Sequence, residues 1–156
     1  MSEIVPQDQA GLVGLDAIRK MPVADAEKEL LKHEQVNCPV FHRFGPGVYM
    51  RETHFPKGTL AIGHSHKHEH TNIILKGRLV IIHPDGTTTE CVAPTVFKGY
   101  PGRKAAYFFE DTVWMNIHPT EETDIEKLEE IFIEKSDAYL ESEALRTAER
   151  LQKEGE

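Results

Sequence analysis

Four histidines lie within seven residues of the chain, in the segment His-Ser-His-Lys-His-Glu-His at positions 64–70. Imidazole is the commonest metal-binding side chain near neutral pH, because its uncharged form offers a lone pair. If the segment is an extended strand, its four imidazoles point to one face, and two of them can share an ion with a ligand from a neighbouring strand. The segment therefore predicts a metal site, although His68 is more simply explained as a solvent-facing turn residue.

The spacing around these histidines resembles the first sequence motif of the cupin family. Gly58 precedes His64 with five residues between them, and Gly77 follows His70 after six residues. The family motif consists of a glycine, a His-x-His pair, a carboxylate and a closing glycine. The resemblance implies that His64, His66 and His70 bind a metal, with His70 where most cupins have glutamate. Such a nitrogen-rich site favours a divalent transition metal (iron, zinc, nickel, manganese or copper) over magnesium or calcium.

The second cupin motif is only partly present. The segment Lys-Gly-Tyr-Pro-Gly at 98–102 resembles its turn, but Ala105 stands where the motif has a histidine ligand. In one interpretation, which we favour, water or substrate completes an open three-histidine site. In the other, His118 supplies a fourth ligand from the end of its own strand. Arg103 and Lys104, directly after the turn, are placed either to meet an anionic substrate or to form a solvated turn.

Other polar and aromatic residues of the predicted strands are candidates for binding a small substrate. Tyr49 and Arg51 alternate onto one face of their strand, and Tyr107 and Trp114 belong to similar sets on two other strands. Only one face of each strand points inward, and the sequence leaves open which one it is. Packing of the aromatic rings against a terminal helix is the alternative. No residue stands out as a catalytic base, with Tyr49, Tyr107 and Glu110 as equal candidates.

The sequence pattern of residues 37–120 is typical of an all-β domain. Short runs rich in β-branched and aromatic residues alternate with turn residues every roughly 8–12 positions, which is typical of a sandwich or barrel. The runs are GVYMRET, TLAIGHSH, TNIILK, RLVIIH, TTTECV, TVFK, AAYFFE and TVWMNIH. Pro-Asp-Gly at 84–86 predicts a hairpin turn, and Gly77 a second tight reversal. The cupin resemblance implies a double-stranded β-helix, or jelly-roll barrel, over this region.

The segments on either side of the barrel differ from it in composition. We expect residues 1–36 to form an N-terminal extension with a short helix over 25–32. Residues 121–156 form an acidic C-terminal segment that is mainly helical. Within it, residues 125–133 fit either a helix or a final strand.

A terminal α-helix is predicted between Ser136, a suitable N-cap, and Gly155, a suitable stop. Apolar residues recur at helical spacing along it. They are Leu140, Ala144, Leu145, Ala148 and Leu151. Such a stripe is expected to dock on the chain's own barrel or on a partner subunit, and we expect a homodimer.

The net charge of −8 lies in the C-terminal segment. From Glu121 onward the chain has 13 acidic and 5 basic residues, whereas residues 1–120 carry 13 of each sign. Because no basic stripe or basic amphipathic segment is present, binding to nucleic acid or to a membrane is not expected. The start of the chain has no signal-peptide pattern, so a cytoplasmic location is expected. The two cysteines, Cys38 and Cys91, fit no metal spacing, and in a reducing compartment they are expected to be buried thiols.

Three functions fit the predicted site. The first is a metal-dependent enzyme acting on a small polar metabolite by dioxygenase-, isomerase- or lyase-type chemistry, among which the cupin resemblance does not choose. The second is a barrel that binds or sequesters a small molecule without transforming it. The succession of the segments GVYMRE, EDTVW and HPT along the chain also resembles cupins encoded in bacteriophage and prophage genomes. Such an origin would suit the binding of host metabolites. The third is a structural protein whose metal stabilises the fold.

Overall fold

Strands contain more residues than helices in residues 20–155, the part of the chain that the computed structural model describes. The strands are β1 (Val40–Gly45), β2 (Val48–Phe55), β3 (Leu60–Ile62), β4 (Ser65–His66), β5 (His70–Lys76), β6 (Arg78–Ile82), β7 (Thr88–Val92), β8 (Thr95–Gly99), β9 (Ala105–Phe108), β10 (Thr112–Pro119) and β11 (Ile133–Glu134). The helices are α1 (Val23–Leu31), α2 (Ile125–Phe132) and α3 (Asp137–Glu154). The predicted N-terminal extension before residue 20 lies outside the described residues.

The strands form two main antiparallel sheets. A five-stranded sheet has the order β1-β2-β10-β5-β8, and a four-stranded sheet has the order β3-β9-β6-β7. The short strands β4 and β11 pair with each other. This architecture confirms the predicted all-β class, and the eight predicted runs coincide with β2 to β10. β1 is not among those runs, because this edge strand is mostly exposed and its residues do not alternate between buried and exposed.

The space between the sheets is filled from alternate positions of the strands. Along β2, buried residues alternate with half-exposed ones, as expected for a strand with one face inward. We call the main buried cluster the aromatic core. It consists of Phe55, Ala61, Ile74, Leu79, Ile81, Cys91, Ala106, Phe108 and Trp114. The rings of Phe55 and Phe108 stack at its centre with centroids 4.2 Å apart.

The two predicted turns have different roles. Pro84–Gly86 closes the hairpin between β6 and β7, where the Asp85 carboxylate accepts hydrogen bonds from the amide and hydroxyl of Thr87. Gly77 instead joins β5 to β6, which lie in different sheets, so the chain turns a corner there and forms no hairpin. Its φ is +97°, and a Cβ would lie 2.3 Å from Thr112 Oγ1. Backbone conformation and lack of space both require glycine at this corner.

Helix α1 covers the four-stranded sheet. Its buried residues Ala26 and Leu30 pack with Leu60 and Ile62 of β3, and Tyr139 from α3 completes this second cluster. The helix begins at residue 23 and ends at residue 31, close to the predicted range of 25–32.

A buried carboxylate joins helix α1 and the start of helix α3 to the barrel. Glu27 of α1 is almost completely buried. It accepts a hydrogen bond of 2.6 Å from Ser136 Oγ and forms an ion pair with Arg103. A carboxylate is buried at acceptable cost only when it has such partners, so this contact fixes α1 and the start of α3 against the loop before β9.

Helix α3 begins at the predicted N-cap, since Ser136 Oγ accepts a hydrogen bond from the Tyr139 amide. Of the two docking places that the sequence left open for its apolar stripe, the chain's own barrel is not used. Leu140, Leu145 and Leu151 are 49%, 66% and 57% exposed. Tyr139, in the first turn, is the buried residue of the helix, and further along Arg146 donates hydrogen bonds to the carbonyl oxygens of Leu31 and His33. No helix within residues 20–155 is long and apolar enough to cross a membrane.

The segment 125–133, which fits a helix or a strand by sequence, forms one after the other. α2 is capped by Asp124, whose carboxylate accepts hydrogen bonds from the two amides at 126 and 127. The helix buries Leu128 and Phe132, which pack with Ile133 and with the ring of Tyr49. The chain then extends into β11 and pairs with β4. This segment therefore closes the end of the barrel that carries the histidines.

Candidate metal centre

Three strands bring histidines together at one end of the barrel. His66 lies on β4, His70 is the first residue of β5, and His118 lies near the end of β10. We call these three residues the imidazole cluster. Their ring centroids are 4.3 Å apart for His66 and His70, 5.1 Å for His70 and His118, and 6.2 Å for His66 and His118. His70 and His118, which are 48 positions apart in sequence, meet because β10 pairs with β5.

Backbone contacts hold His66 from both sides. Its N–H and C=O exchange hydrogen bonds of 2.9 Å with Gly102, in the turn that resembles the second cupin motif. On the other side, β11 places Ile133 opposite His66. The position of this imidazole therefore depends on the 98–102 turn and on the C-terminal segment together.

The ring of His70 has a defined tautomer. Its Nδ1 lies 3.1 Å from the carbonyl oxygen of His68. A carbonyl oxygen can only accept, so Nδ1 carries the proton and Nε2 carries the lone pair. Metal-binding histidines characteristically have this arrangement, in which the second nitrogen donates to a fixed acceptor. The ring also needs glycine on the adjacent strand, since a Cβ at Gly99 would lie 2.3 Å from His70 Nε2.

The imidazole cluster is uncharged at neutral pH. Burial lowers the pKa of His66 to about 3, with further contributions from His70, His118 and Lys104. Burial also lowers the pKa of His118 to about 3, with His70 and Arg51 adding to the effect. The pKa of His70 is likewise lowered, mainly by burial. All three rings therefore present neutral nitrogens, which is the form that binds metals.

Aromatic and aliphatic side chains cover the imidazole cluster on the side of the C-terminal segment. The ring of Phe132 stacks on His118 with centroids 4.2 Å apart. Tyr49 lies on the other side of His118 at 6.0 Å, and its hydroxyl contacts His42 Nδ1 at 2.7 Å. This apolar cover excludes water from the rings and explains the burial that lowers their pKa.

The other two histidines of the 64–70 segment are not members of the imidazole cluster. The segment is not one extended strand, because the chain leaves strand conformation between β4 and β5, so its four histidines do not share one strand face. His64 is buried, meets the ring of Tyr139 edge-on at 4.5 Å, and lines a cavity together with His66 and His118. His68 is exposed, as expected for a turn residue.

The donor chemistry of the imidazole cluster fits a transition metal ion. Within residues 20–155, four buried ring nitrogens of the cluster have no hydrogen-bond partner. They are His66 Nδ1, His70 Nε2, and both nitrogens of His118. Two rings bound to one ion through nitrogens at ~2.0–2.1 Å in tetrahedral geometry have centroids about 5 Å apart, close to the observed separations. As the rings are oriented, however, no three His, Cys, Asp or Glu side chains in the described chain form a coordinating group.

A cavity in the barrel interior adjoins the cluster. It encloses about 480 Å³, its open mouth included. His64, His66 and Asn116 line one part of it, and Phe108 and Trp114 of the aromatic core line another. We call it the barrel cavity. A second space of about 300 Å³, lined by Arg51 and His118, shares His64 and His66 with it. Small-molecule sites typically have this combination of apolar walls and a few polar groups.

The predicted substrate-binding residues separate into two pairs. Trp114 lines the barrel cavity, and its Nε1 donates to Asn72 Oδ1 at 3.1 Å. Arg51 is buried beside His118 and donates to Thr53 Oγ1 at 2.9 Å. Tyr49 and Tyr107 line neither of these two cavities. Tyr49 is fully buried against the C-terminal segment.

Tyr107 lies on the opposite face of its strand from the barrel cavity. It packs with the cluster under α1 and contacts the ring of Phe109 at 5.2 Å. Its neighbours Ala106 and Phe108 face the aromatic core. Ala105 is buried at the start of β9, so no imidazole approaches from the position of the second cupin motif.

Two asparagines lie near the site, of which Asn116 shares a strand face with Trp114 and His118 by sequence alternation and Asn72 has no sequence signal. Asn72 is completely buried on β5, and its Oδ1 accepts hydrogen bonds from Asn116 Nδ2 at 2.6 Å and from Trp114. Both asparagines lie inside predicted strands, where the alternation of apolar residues does not distinguish a structural amide from a binding one. Only the pairing of β10 with β5 reveals that Asn72 and Asn116 are directly opposite each other.

Comparison with known proteins gives matches by structure alone. No protein-family model and no curated protein sequence match the chain. Ectoine synthase from P. lautus matches with a TM-score of 0.51 and 12% identity, over 67% of this chain and 83% of that one. A cupin superfamily protein from Desulfitobacterium hafniense DCB-2 gives a TM-score of 0.46 and 15% identity, over 65% of this chain and 90% of that one.

An acetylacetone dioxygenase from Acinetobacter johnsonii matches with a TM-score of 0.42 and 13% identity, over 53% of this chain, which spans 58% of that protein. Identities this low show a shared fold and do not identify a reaction. The two antiparallel sheets described above, their strand order and the match to the synthase barrel together show that this protein has the cupin fold.

Proposed function

We propose that the protein binds a divalent transition metal ion through the imidazole cluster and uses it to act on a small polar molecule in the barrel cavity. The supporting observation is the set of buried, uncharged ring nitrogens that have no hydrogen-bond partner in the described chain. Burying such groups costs free energy unless something binds them. A transition metal ion is a partner that suits several neutral imidazoles at once.

His66, His70 and His118 would hold the ion, and His64 stands beside them. Binding requires the rings to rotate about their side-chain torsions, because in their present orientation they do not form a coordinating group. The ion supplies Lewis-acid chemistry, which polarises a carbonyl group or activates water. Arg51 adds a fixed positive charge next to His118, which favours negative charge on a molecule bound at this end.

The test is a metal titration of tag-free, metal-stripped protein against a chromophoric chelator, with zinc and cobalt as probes. We expect one ion per chain for the wild type. His66→Ala, His70→Ala and His118→Ala should each weaken binding by ~100-fold or more, since each removes a ligand and losses from supporting residues alone reach 10–100-fold. Circular dichroism checks that each variant keeps its strands.

His68→Ala is the matched control, because His68 belongs to the same histidine run but is exposed. It should bind the ion as tightly as the wild type. If His68→Ala loses as much affinity as His118→Ala, the ion binds adventitiously to the exposed run. If none of the four variants changes the affinity, the imidazole cluster is not a metal site.

A second experiment separates an enzyme from a binder. Metal-loaded protein is incubated with a polar metabolite extract and analysed by mass spectrometry. We expect the loss of one metabolite and the appearance of a product, as dioxygenase-, isomerase- or lyase-type chemistry requires. A metabolite released unchanged by heating would show a sequestering barrel. A large fall in melting temperature on metal removal, with neither turnover nor ligand, would show a structural metal.

We also propose that the protein is a homodimer. On the five-stranded sheet, Leu75 and Val96 are 50% and 68% exposed, and β8 is an edge strand. A second copy presents the same apolar surface and the same unpaired edge, so pairing buries both. Light scattering should give twice the chain mass, and Val96→Lys should reduce it. A monomeric wild type at micromolar concentration would overturn this proposal.

A further inference from the structure

Lys104 places a positive charge inside the apolar part of the barrel cavity. The side chain lines the cavity together with Phe108 and Trp114. Its Nζ lies 5.2 Å from the ring centroid of Trp114 and 5.4 Å from that of Phe97. Both rings belong to, or pack against, the aromatic core. The ammonium group therefore points into the barrel and not into solvent.

The neighbouring Arg103 shows what a fully paired cation looks like in this molecule. Its guanidinium forms an ion pair with the buried Glu27, and its Nε donates to the carbonyl oxygen of Gly63 at 3.0 Å. In contrast, no ion pair within residues 20–155 includes Lys104. Two adjacent basic residues that look equivalent in sequence thus have opposite roles, since Arg103 is a structural contact and Lys104 faces the cavity.

The surroundings of Lys104 make its charge costly. Burial lowers the pKa of Lys104 to about 8, and the electrostatic interaction with the nearby Cys91 partly opposes this. The two aromatic rings attract the ammonium group through their faces, each contribution being about 0.5–2 kcal/mol. An ammonium group has three donors, however, and ring faces do not provide the short, charge-assisted hydrogen bonds that a carboxylate oxygen provides.

We propose that Lys104 binds the carboxylate group of a small organic acid whose apolar body lies against the aromatic core. This inference rests on the proposed function, because it names the class of molecule that would enter the same cavity. The carboxylate pairs with Nζ in the apolar part of the cavity. The rest of the molecule extends along Trp114 and Phe108 towards His64 and His66, which line the same space. The cavity thus selects a carboxylate at one end and presents imidazoles at the other.

The chain contains a natural reporter for this binding. Trp114 is the only tryptophan of the protein, and it touches the barrel cavity beside the Lys104 ammonium group. Intrinsic fluorescence therefore reports on the cavity without a label. The probes are acetate, butyrate, benzoate and phenylacetate, each with its uncharged amide as a matched ligand of the same shape. Isothermal calorimetry gives independent affinities.

For the wild type we expect at least one carboxylate to bind at least 10-fold more tightly than its amide. Lys104→Met retains the aliphatic stem and removes the charge. The substitution should weaken carboxylate binding by about 10- to 100-fold, as expected for loss of a hydrogen-bonded charge pair. The affinity for the amide should not change. Lys104→Gln serves as a second variant if Lys104→Met folds poorly. Lys98→Met, at an exposed lysine of β8, should bind as the wild type does.

Equal affinity of acids and amides, equal affinity of Lys104→Met and wild type, or no binding of any of the four acids at 10 mM would each overturn the proposal. The metal proposal is tested separately in the same proteins. Lys104→Met should retain one ion per chain, and metal-free His118→Ala should still prefer the carboxylate. Failure of the carboxylate site therefore leaves the metal result intact, and failure of the metal site leaves the carboxylate result intact.

Discussion

The two ends of the barrel interior both contain packed rings, but the chemistry of these rings differs. At one end, the aromatic core fills space with rings and aliphatic side chains, and Phe55 and Phe108 stack at 4.2 Å. At the other end, the imidazole cluster also consists of packed rings, with Phe132 stacked on His118 at 4.2 Å. Four of its six ring nitrogens, however, lack hydrogen-bond partners in the described chain.

The two ends differ in what their buried rings contribute to the free energy of folding. An apolar ring contributes free energy by leaving water, whereas an imidazole in the same position loses hydrogen bonds to water and regains none. Replacing the histidines with apolar residues of similar volume would therefore be tolerated or even stabilising. The proposed metal ion would give these histidines the binding partner that they lack.

The largest expected effect separates the two ends by stability. Phe108→Ala removes a fully buried ring from the aromatic core and should lower the free energy of unfolding by about 3–5 kcal/mol. His118→Leu should leave it unchanged or raise it, because an unpaired polar ring is replaced by an apolar side chain. Urea unfolding of metal-free protein measures both. A loss for His118→Leu as large as that for Phe108→Ala would contradict the comparison.

A second effect, of intermediate size, comes from pH. The pKa values of His66 and His118 fall from 6.5 in the unfolded chain to about 3 in the folded protein, mainly through burial. Between these values the unfolded state binds more protons, so the free energy of unfolding decreases as pH falls through this window. Between pH 7 and 5 the loss should be about 2 kcal/mol per histidine.

Urea unfolding of the wild type and of His118→Leu at both pH values isolates this contribution from that of the carboxylates. The variant should lose less stability on acidification than the wild type. Identical pH dependence of the two proteins would show that His118 is not held neutral by its surroundings.

The smallest effect on stability should come from Gly99→Ala. The added Cβ would lie 2.3 Å from His70 Nε2, so the ring must rotate away at a cost of about 1 kcal/mol. Zinc affinity should nevertheless fall by ~10-fold or more, because the lone pair is displaced. Gly63→Ala is the matched control, since its Cβ would meet nothing closer than 3.9 Å. Unchanged zinc affinity in Gly99→Ala would argue against His70 as a ligand.

The strands were predictable from sequence because they depend on local alternation and on turn residues such as Pro84–Gly86. The same alternation does not say which face of a strand points inward. The sequence therefore could not distinguish Tyr107, which lies on the side away from the barrel cavity, from Trp114, which lines it. The exposed edge strand β1 has no alternation to detect.

The histidine spacing predicts a metal site, and it does not show which histidines the fold brings together. Whether His64 and His66 point the same way depends on where β4 ends, and the partnership of His118 with His70 depends on the pairing of β10 with β5. The closure of the site by β11 and the separate roles of Arg103 and Lys104 are also long-range contacts. Local sequence patterns contain no information about such contacts.

The most direct test of the account is the X-ray absorption spectrum of the protein loaded with one equivalent of zinc. It reports the ligands of the ion itself, independently of any variant. The account predicts at least three nitrogen neighbours at about 2.0–2.1 Å, with the outer-shell scattering of imidazole rings. A first shell of oxygen atoms without imidazole scattering would contradict it, and so would a tag-free protein that retains less than about a tenth of an ion per chain after dialysis against zinc.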